Sequence, residues 1–315
     1  MLLGGVFVKN ILVIGGSYFV GRVFVLELLE KKEYAIHLVN RGSNPFNRPE
    51  IAEHFCDRHD ISALKQVVPP LDWHAVIDFC CYEPAEVEII LNNLPGTINH
   101  YIYISTCSVY ESSDDLPKFE DAPKLSGPIA GPFGDYGYKK WLTEVKLVNQ
   151  GKEKGIPYTI LRPAFIYGQF NYAPRESFFF DLILTNKPIP IPDNTLALFQ
   201  FVFVRDVAKI CLACLENEKV YHQAYNLAAE ELISYKKLSK VLEEISDKRL
   251  WTKKLSLAEI NRNNIPLPFP LDKHELYAGS LIAGTLNFTY TPFAKGLKET
   301  FEFYRKYVFP AKEAN

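Results

Sequence analysis

Tyr136 and Lys140, in FGDYGYKKWLTEV, stand four residues apart, a spacing that places two side chains on one face of a helix. Upstream, YISTCSVY closes an apolar strand pattern on Thr106. Together these residues make an acid–base set. A tyrosine titrates near ~10, so using it as a base at neutral pH demands a downward shift of ~3 units, worth ~4 kcal/mol, which a neighbouring ammonium and the charge of an oxidised nicotinamide can largely supply. Lys140 is the expected ammonium. Thr106 is expected to hold a substrate oxygen beside Tyr136 while the phenol takes or gives the proton and hydride moves to or from a cofactor. A Tyr-x-x-x-Lys pair also occurs on ordinary helices, with the ring packed and the lysine solvated. What favours the chemical reading is the order of the elements around it.

The first of those elements is ILVIGGSYFVGRV, an apolar strand that meets a glycine-rich turn and then a helical pattern. Gly15 and Gly16 allow a tight turn with backbone N–H groups facing a pyrophosphate, and Gly21 lets the helix approach the sheet. Gly15, Gly16, Tyr18, Phe19, Val20 and Gly21 are the expected cofactor-lining residues. Tyr18 stands where such a turn usually carries its middle glycine, so its side chain is expected to point away from the phosphates. The second strand ends in Asn40 and Arg41 rather than in an acid that would bind a ribose 2′-hydroxyl. Arg41, joined by Arg22, can pair with a 2′-phosphate, which favours NADP while NAD stays open. Asp57, closing the third strand pattern, is either an adenine contact or a turn residue.

Positioning these groups requires a sheet. Strand-like runs at 10–15, 35–40, 54–57, 74–80 and 100–106 alternate with helical spacing at 19–29 and 84–94, the pattern of parallel strands joined by crossover helices. This is a doubly wound α/β fold with a parallel sheet. A long helix follows from Tyr136 to about Lys154, then a strand and loop at 158–168, and a strand, helix and strand across 199–228. Proline-rich 187–192 and 265–272 read as extended connections, and 296–307 as an amphipathic helix. The expected division is a dinucleotide-binding lobe over 1–168, to which 199–229 returns, and a smaller substrate lobe made of 169–198 and 230–315.

Composition narrows the partners. The 315 residues are 48 % hydrophobic and carry 35 basic against 37 acidic side chains, a formal charge of −2. That balance offers no footprint for nucleic acid or an anionic membrane. A small-molecule substrate is expected. The start, MLLGGVFVK, lacks a charged leader region and no later run approaches a bilayer span, so the expected location is cytoplasmic. Six cysteines do not make a disulfide framework in a chain this long, and the Cys211–Cys214 pair in KICLACLE has no second pair to complete a metal site. No metal is expected.

Taken together, the chain resembles the extended short-chain dehydrogenase/reductase superfamily, and within it the NAD(P)-dependent epimerase/dehydratase group. GGSYFVG resembles the TGGxGFIG turn, STCSVY the serine/threonine-rich strand end, Tyr136–Lys140 the YxxxK pair, LRPAFIYG the RPxxxYG segment and FVRDVA the HVxDxA segment. The resemblance implies a Rossmann lobe, a smaller C-terminal substrate lobe, NAD(H) or NADP(H), and often a homodimer built through a helix bundle. It implies 4-epimerisation or keto reduction, most naturally of a nucleotide sugar. Family dehydratases carry an Asp-Glu pair after the catalytic threonine and the decarboxylases a Glu before the Val-Tyr, whereas this chain has Cys107 and Ser108. Cys107 or Ser108 could assist a proton transfer, but a buried small side chain is the favoured reading. In nucleotide-sugar members Phe165 would be an asparagine contacting phosphates and Phe199 an arginine gripping the diphosphate. Asn171, Arg175 and Gln200 are the candidates to compensate, while both phenylalanines read equally as core or as an apolar pocket. Two other classes stand beside the enzyme: a non-catalytic dinucleotide sensor or scaffold, and an RNA-binding relative that the charge balance disfavours.

Overall fold

The computed structural model describes residues 8–131, 134–193 and 197–313. The reading of residues 1–7 as running directly into the first strand lies outside this range. Strand β1 (Lys9–Ile14) leads to α1 (Phe19–Leu29), β2 (Tyr34–Asn40), β3 (Ile51–Phe55), α2 (Ile61–Val67), β4 (Leu71–Asp78) and α3 (Pro84–Asn93). Then come β5 (Gly96–Ile98), β6 (Tyr101–Ile104), α4 (Tyr136–Lys154), β7 (Tyr158–Pro163), β8 (Phe165–Tyr167), α5 (Glu176–Leu184) and β9 (Ile189–Pro192). The chain continues through β10 (Phe201–Phe203), α6 (Val204–Leu215), β11 (Gln223–Leu227), α7 (Tyr235–Ser246) and β12 (Thr252–Leu255). It closes with α8 (Leu257–Arg262), α9 (Ser280–Leu286), α10 (Phe293–Phe303), a π-helical turn at Tyr304–Val308 and α11 (Phe309–Glu313).

The main sheet runs β11-β7-β6-β4-β1-β2-β3, with short β5 beside the start of β4, and every pairing in it is parallel. Alternation along β1 sorts its side chains. Ile11 and Val13 join the apolar cluster under α1 and α6, while Leu12 and Ile14 join the one under α3 and α4. Both faces are therefore dry, as parallel sheets require. The strand order reverses direction between β1 and β4, the switch point at which open α/β sheets bind ligands beyond the strand ends.

Several expected boundaries move. The third strand is Ile51–Phe55 rather than 54–57, because Cys56 turns inward only to hand its amide to Asn40 and Asp57 then begins the turn into α2. The run after Pro163 is a separate strand, β8, which pairs with β10 outside the main sheet. The proline-rich 187–192 contains β9, paired with β12. Cys211 and Cys214 are both buried in α6 as free thiols, and no cluster of metal-ligating side chains occurs among the described residues. Among the described residues no helix is long and apolar enough to cross a membrane.

Candidate functional site

Gly21 explains why α1 can start where it does. A Cβ there would lie 2.4 Å from the Gly15 carbonyl, and one on Gly15, at φ +78°, would lie 2.7 Å from Cys80 Cβ. Neither position admits a side chain. Tyr18 accommodates the missing glycine with an ordinary extended backbone, φ −127°, and is 52 % exposed. The strain sits one residue on, at Phe19, whose φ is +37°. A non-glycine residue in that region costs about 1–3 kcal/mol, and burial of the Phe19 ring against α1 and Tyr172 offsets it. Val20 is buried beside it. The turn fits a dinucleotide phosphate on two observations. The opening amides of α1 lack intrahelical acceptors, and the buried Ser17 hydroxyl has no hydrogen-bond partner.

At the end of β2, Asn40 Oδ1 accepts the Gly42 amide and Asn40 Nδ2 donates to Glu53. Arg41 is exposed. Arg22 lies over the Phe46 ring at 4.4 Å, and burial lowers the pKa of its guanidinium, with Glu53 opposing and Arg48 reinforcing. Asp57 makes turn contacts: its Oδ1 accepts the His59 amide at 2.9 Å and pairs with the His59 ring at 2.7 Å.

The strand ends opposite the turn are fixed by buried charge. Asp78, closing β4, accepts two hydrogen bonds from Arg58 and one from the Tyr101 hydroxyl. Thr106 follows β6, and its Oγ1 accepts the Ser108 amide at 3.1 Å, capping the short turn Cys107–Val109. That cap orients the Thr106 hydroxyl. Helix α4 reaches the same place because Gly137 allows its backbone to touch the loop: a Cβ there would be 2.1 Å from the Ser108 carbonyl. Tyr136, Lys140 and Glu144, at i, i+4 and i+8, share the inward face.

Tyr136 lies near Thr106, whose own hydroxyl donates to Ser108 Oγ at 3.2 Å. Burial pushes its phenol above the ordinary tyrosine value, while Thr106 and the Arg175 charge pull it down. Those two groups favour its ionised form. Lys140 Nζ is turned to the strand ends instead, donating to the Cys81 carbonyl at 2.8 Å and the Ile104 carbonyl at 2.6 Å. It sits 4.4 Å above the Tyr103 ring. This holds β4 and β6 together beneath the site. Burial, opposed by nearby Cys81 and Asp78, lowers the Lys140 ammonium to about 8. The folded state therefore gives up the proton before the unfolded chain does, so charged Lys140 destabilises fully below pH 8 and the cost is relieved as pH rises towards the ordinary lysine value. Relative to Lys140→Met, the wild type should gain about 2 kcal/mol in urea unfolding between pH 7 and 9.5, since each unit above 8 contributes about 1.4 kcal/mol.

The remaining expected contacts separate. Ser108 is exposed, and its hydroxyl accepts from Thr106. Cys107 is buried, donates to the Arg162 carbonyl, and burial pushes its thiol well up. Phe199 is wholly buried and Phe165 half-buried in an aromatic cluster with Phe201 and Phe269. Gln200 is buried, its amide donating to the Ala229 carbonyl and accepting from the Tyr277 amide. Asn171 likewise donates to both Glu176 oxygens. Arg175 alone keeps a partly free head. Two residues not foreseen join it: Tyr82 and Tyr172, exposed aromatics whose phenols act on one another and on Tyr136. Their position just beyond strand ends β4 and β8 was the available signal.

Residues 11–228 match the family model described as NAD dependent epimerase/dehydratase family. Chloroplast stem-loop binding protein of 41 kDa b from Arabidopsis thaliana is 32 % identical over 247 residues, covering 74 % of this chain but only 62 % of the plant protein's length. A dTDP-D-glucose 4,6-dehydratase from Mus musculus is 24 % identical, with 96 % and 90 % of the two chains covered. Among solved structures, a UDP-glucuronic acid 4-epimerase from Bacillus cereus, in complex with UDP-glucuronic acid and NAD, superposes with a TM-score of 0.74 at 20 % identity, covering 95 % and 99 %. That likeness agrees with the parallel sheet and its switch point. The chain belongs to the NAD dependent epimerase/dehydratase family.

Proposed function

We propose that this protein is a nicotinamide-dependent epimerase or keto-reductase acting at a secondary alcohol or ketone of a nucleotide sugar. The observation that carries this reading is the meeting of Thr106, after β6, with the first turn of α4 that carries Tyr136, where Gly137 packs on the Ser108 carbonyl, at the C-terminal edge of the sheet and across the switch point from the glycine turn. Gly15, Gly16, Ser17 and the opening amides of α1 would hold the pyrophosphate. When bound, a nicotinamide dinucleotide supplies hydride acceptance and donation. The chain's own part is to orient the substrate oxygen with Thr106 and to exchange its proton at the Tyr136 hydroxyl. Elimination is disfavoured because neither Cys107, a buried neutral thiol, nor Ser108 offers the acid it needs. The plant relative is named for binding stem-loops, but the near-even charge here, −2 overall, supports a small-molecule partner.

NADP is the favoured cofactor, supported by Arg22 on α1, by Arg41 just after β2 and by an Asn40 whose side chain is already engaged. Arg41→Ala should weaken NADP binding about 10-fold, the loss of one charge-assisted pair, and leave NAD within about threefold. Titration of both cofactors by calorimetry decides it, and equal weakening would remove the 2′-phosphate assignment. Thermal-shift measurements with NAD, NADP and a panel of nucleotide sugars test the wider reading, since ligands of the native state raise its stability. No shift with either dinucleotide would overturn it.

A further inference from the structure

Strands β9 and β12 form a two-stranded parallel sheet separate from the main one. The Ile189 amide donates to the Trp251 carbonyl at 2.8 Å, and the Asp193 amide to the Leu255 carbonyl at 2.9 Å. Backbone groups alternate in direction along a strand, so Lys253 also faces β9, whereas the N–H and C=O groups of Thr252 and Lys254 face outward. On β9 the outward positions are Pro190 and Pro192, which have no N–H to give. Proline closes one edge of the pair, and the other, β12, is open. Among the described residues no further strand pairs with it.

The side chains along that edge give it a sign. Lys248, Arg249, Lys253 and Lys254 are exposed, and Trp251 is 69 % exposed between them. Among the described residues none of these four cations has an ion pair. Nearby acids are committed elsewhere: Glu243 accepts the Leu250 amide at 3.0 Å, and Glu259 is held in the cap of α8 by Ser256. Within 247–254 only Asp247 opposes the four cations, on a chain whose formal charge is −2. Lysines on an edge strand guard it against its own kind, because two copies of β12 would set like charges opposite one another. A strand of opposite charge meets no such penalty.

We propose that β12 is a docking edge for an extended acidic peptide segment of a partner protein, which adds a third strand to the β9–β12 sheet. The peptide backbone pairs with Thr252 and Lys254, its carboxylates lie against the surrounding cations, and an apolar side chain covers the Trp251 ring. A nucleic acid or an anionic lipid surface would use the cations and the ring but not the evenly spaced N–H and C=O groups, and those select a peptide.

Fluorescence-anisotropy titration of the full-length protein with a labelled peptide of alternating Glu and Val tests this. The controls are a Lys/Val peptide of the same length, the Glu/Val peptide N-methylated at alternate residues, labelled oligouridylate, and co-sedimentation with phosphatidylserine vesicles. The Glu/Val peptide should bind at least about tenfold more tightly than either peptide control. Lys253→Glu combined with Lys254→Glu should weaken it at least about tenfold. Thr252→Pro should weaken it about three- to tenfold, since it removes one outward N–H and spares the bonds to β9. An unchanged cofactor Kd in each variant shows that the fold is intact, and the N-methylated peptide reads the same backbone bonds from the partner's side should Thr252→Pro not fold. Equal binding of the methylated and unmethylated peptides, or unchanged affinity in the double lysine variant, overturns the proposal. So do tighter binding of oligouridylate or of the vesicles, absence of peptide binding, and a dimer of the free protein that Thr252→Pro dissociates.

Discussion

Tyr136→Phe should lower kcat by about 10²- to 10⁴-fold, the usual worth of a positioned acid–base group, and leave the cofactor Kd within about twofold. The two effects separate because the phosphate turn is built on β1 and α1, whereas the phenol projects from α4 towards Thr106. The substitution removes one oxygen and keeps the ring, and Tyr136 is 37 % exposed, so stability should change by no more than about 1 kcal/mol. Burial holds the phenol above its ordinary value. It is thus protonated at neutral pH and stands ready as a donor to a carbonyl oxygen. For the reverse direction Thr106 and the Arg175 charge work towards ionisation. Single-turnover kinetics with the preferred cofactor measure the effect. Turnover within threefold of wild type would remove Tyr136 from the proton transfer.

The parallel sheet was legible because buried strands and crossover helices write different periods into the chain, and the alternation in β1 that sends Ile11 and Leu12 to opposite faces survives in the structure. The placement of Thr106 at a strand end and of Tyr136 and Lys140 on one helix face was legible too, since an i, i+4 pair and a strand-end threonine follow from local geometry alone. What sequence could not reach was the direction of individual side chains. Lys140 is on the expected face, yet its ammonium goes to two carbonyls exposed by the ends of β4 and β6, a demand created only when those strands meet. Gln200 and Asn171 have the right chemistry for a ligand but satisfy buried partners instead. Tyr18 drew notice as the missing glycine, while the turn's strain falls on Phe19, because the helix start shifts the left-handed residue by one place.

Arg162, read only as part of a family segment, carries the second large effect: Arg162→Met should cost about 3–5 kcal/mol, the range seen when one partner of a buried ion pair is removed. Its Nε and Nη2 donate to the Glu144 carboxylate, with side-chain exposures of 4 % and 1 %. Nη1 donates to the Tyr110 hydroxyl at 2.8 Å and the Glu120 carbonyl at 2.9 Å. Methionine would fill most of the volume but leave Glu144 charged, dry and without its cation. Against a total stability of about 5–15 kcal/mol that loss is large. The consequence reaches the site through one bond, because Glu144 also accepts from Ser105, the residue before Thr106. A strand end freed by as little as about 1 Å would misplace Thr106 against Tyr136 and lower kcat by about 10²-fold even in molecules that stay folded. Combining Arg162→Met with Glu144→Leu should recover part of the stability, since the uncompensated charge is gone, but not the turnover, since Ser105 has lost its acceptor. Urea unfolding and kcat measured on the two single variants and the double variant separate these terms. Additive losses in stability would mean that Arg162 and Glu144 do not act as a pair, and full turnover in the folded fraction would mean that Ser105 does not transmit their position to Thr106.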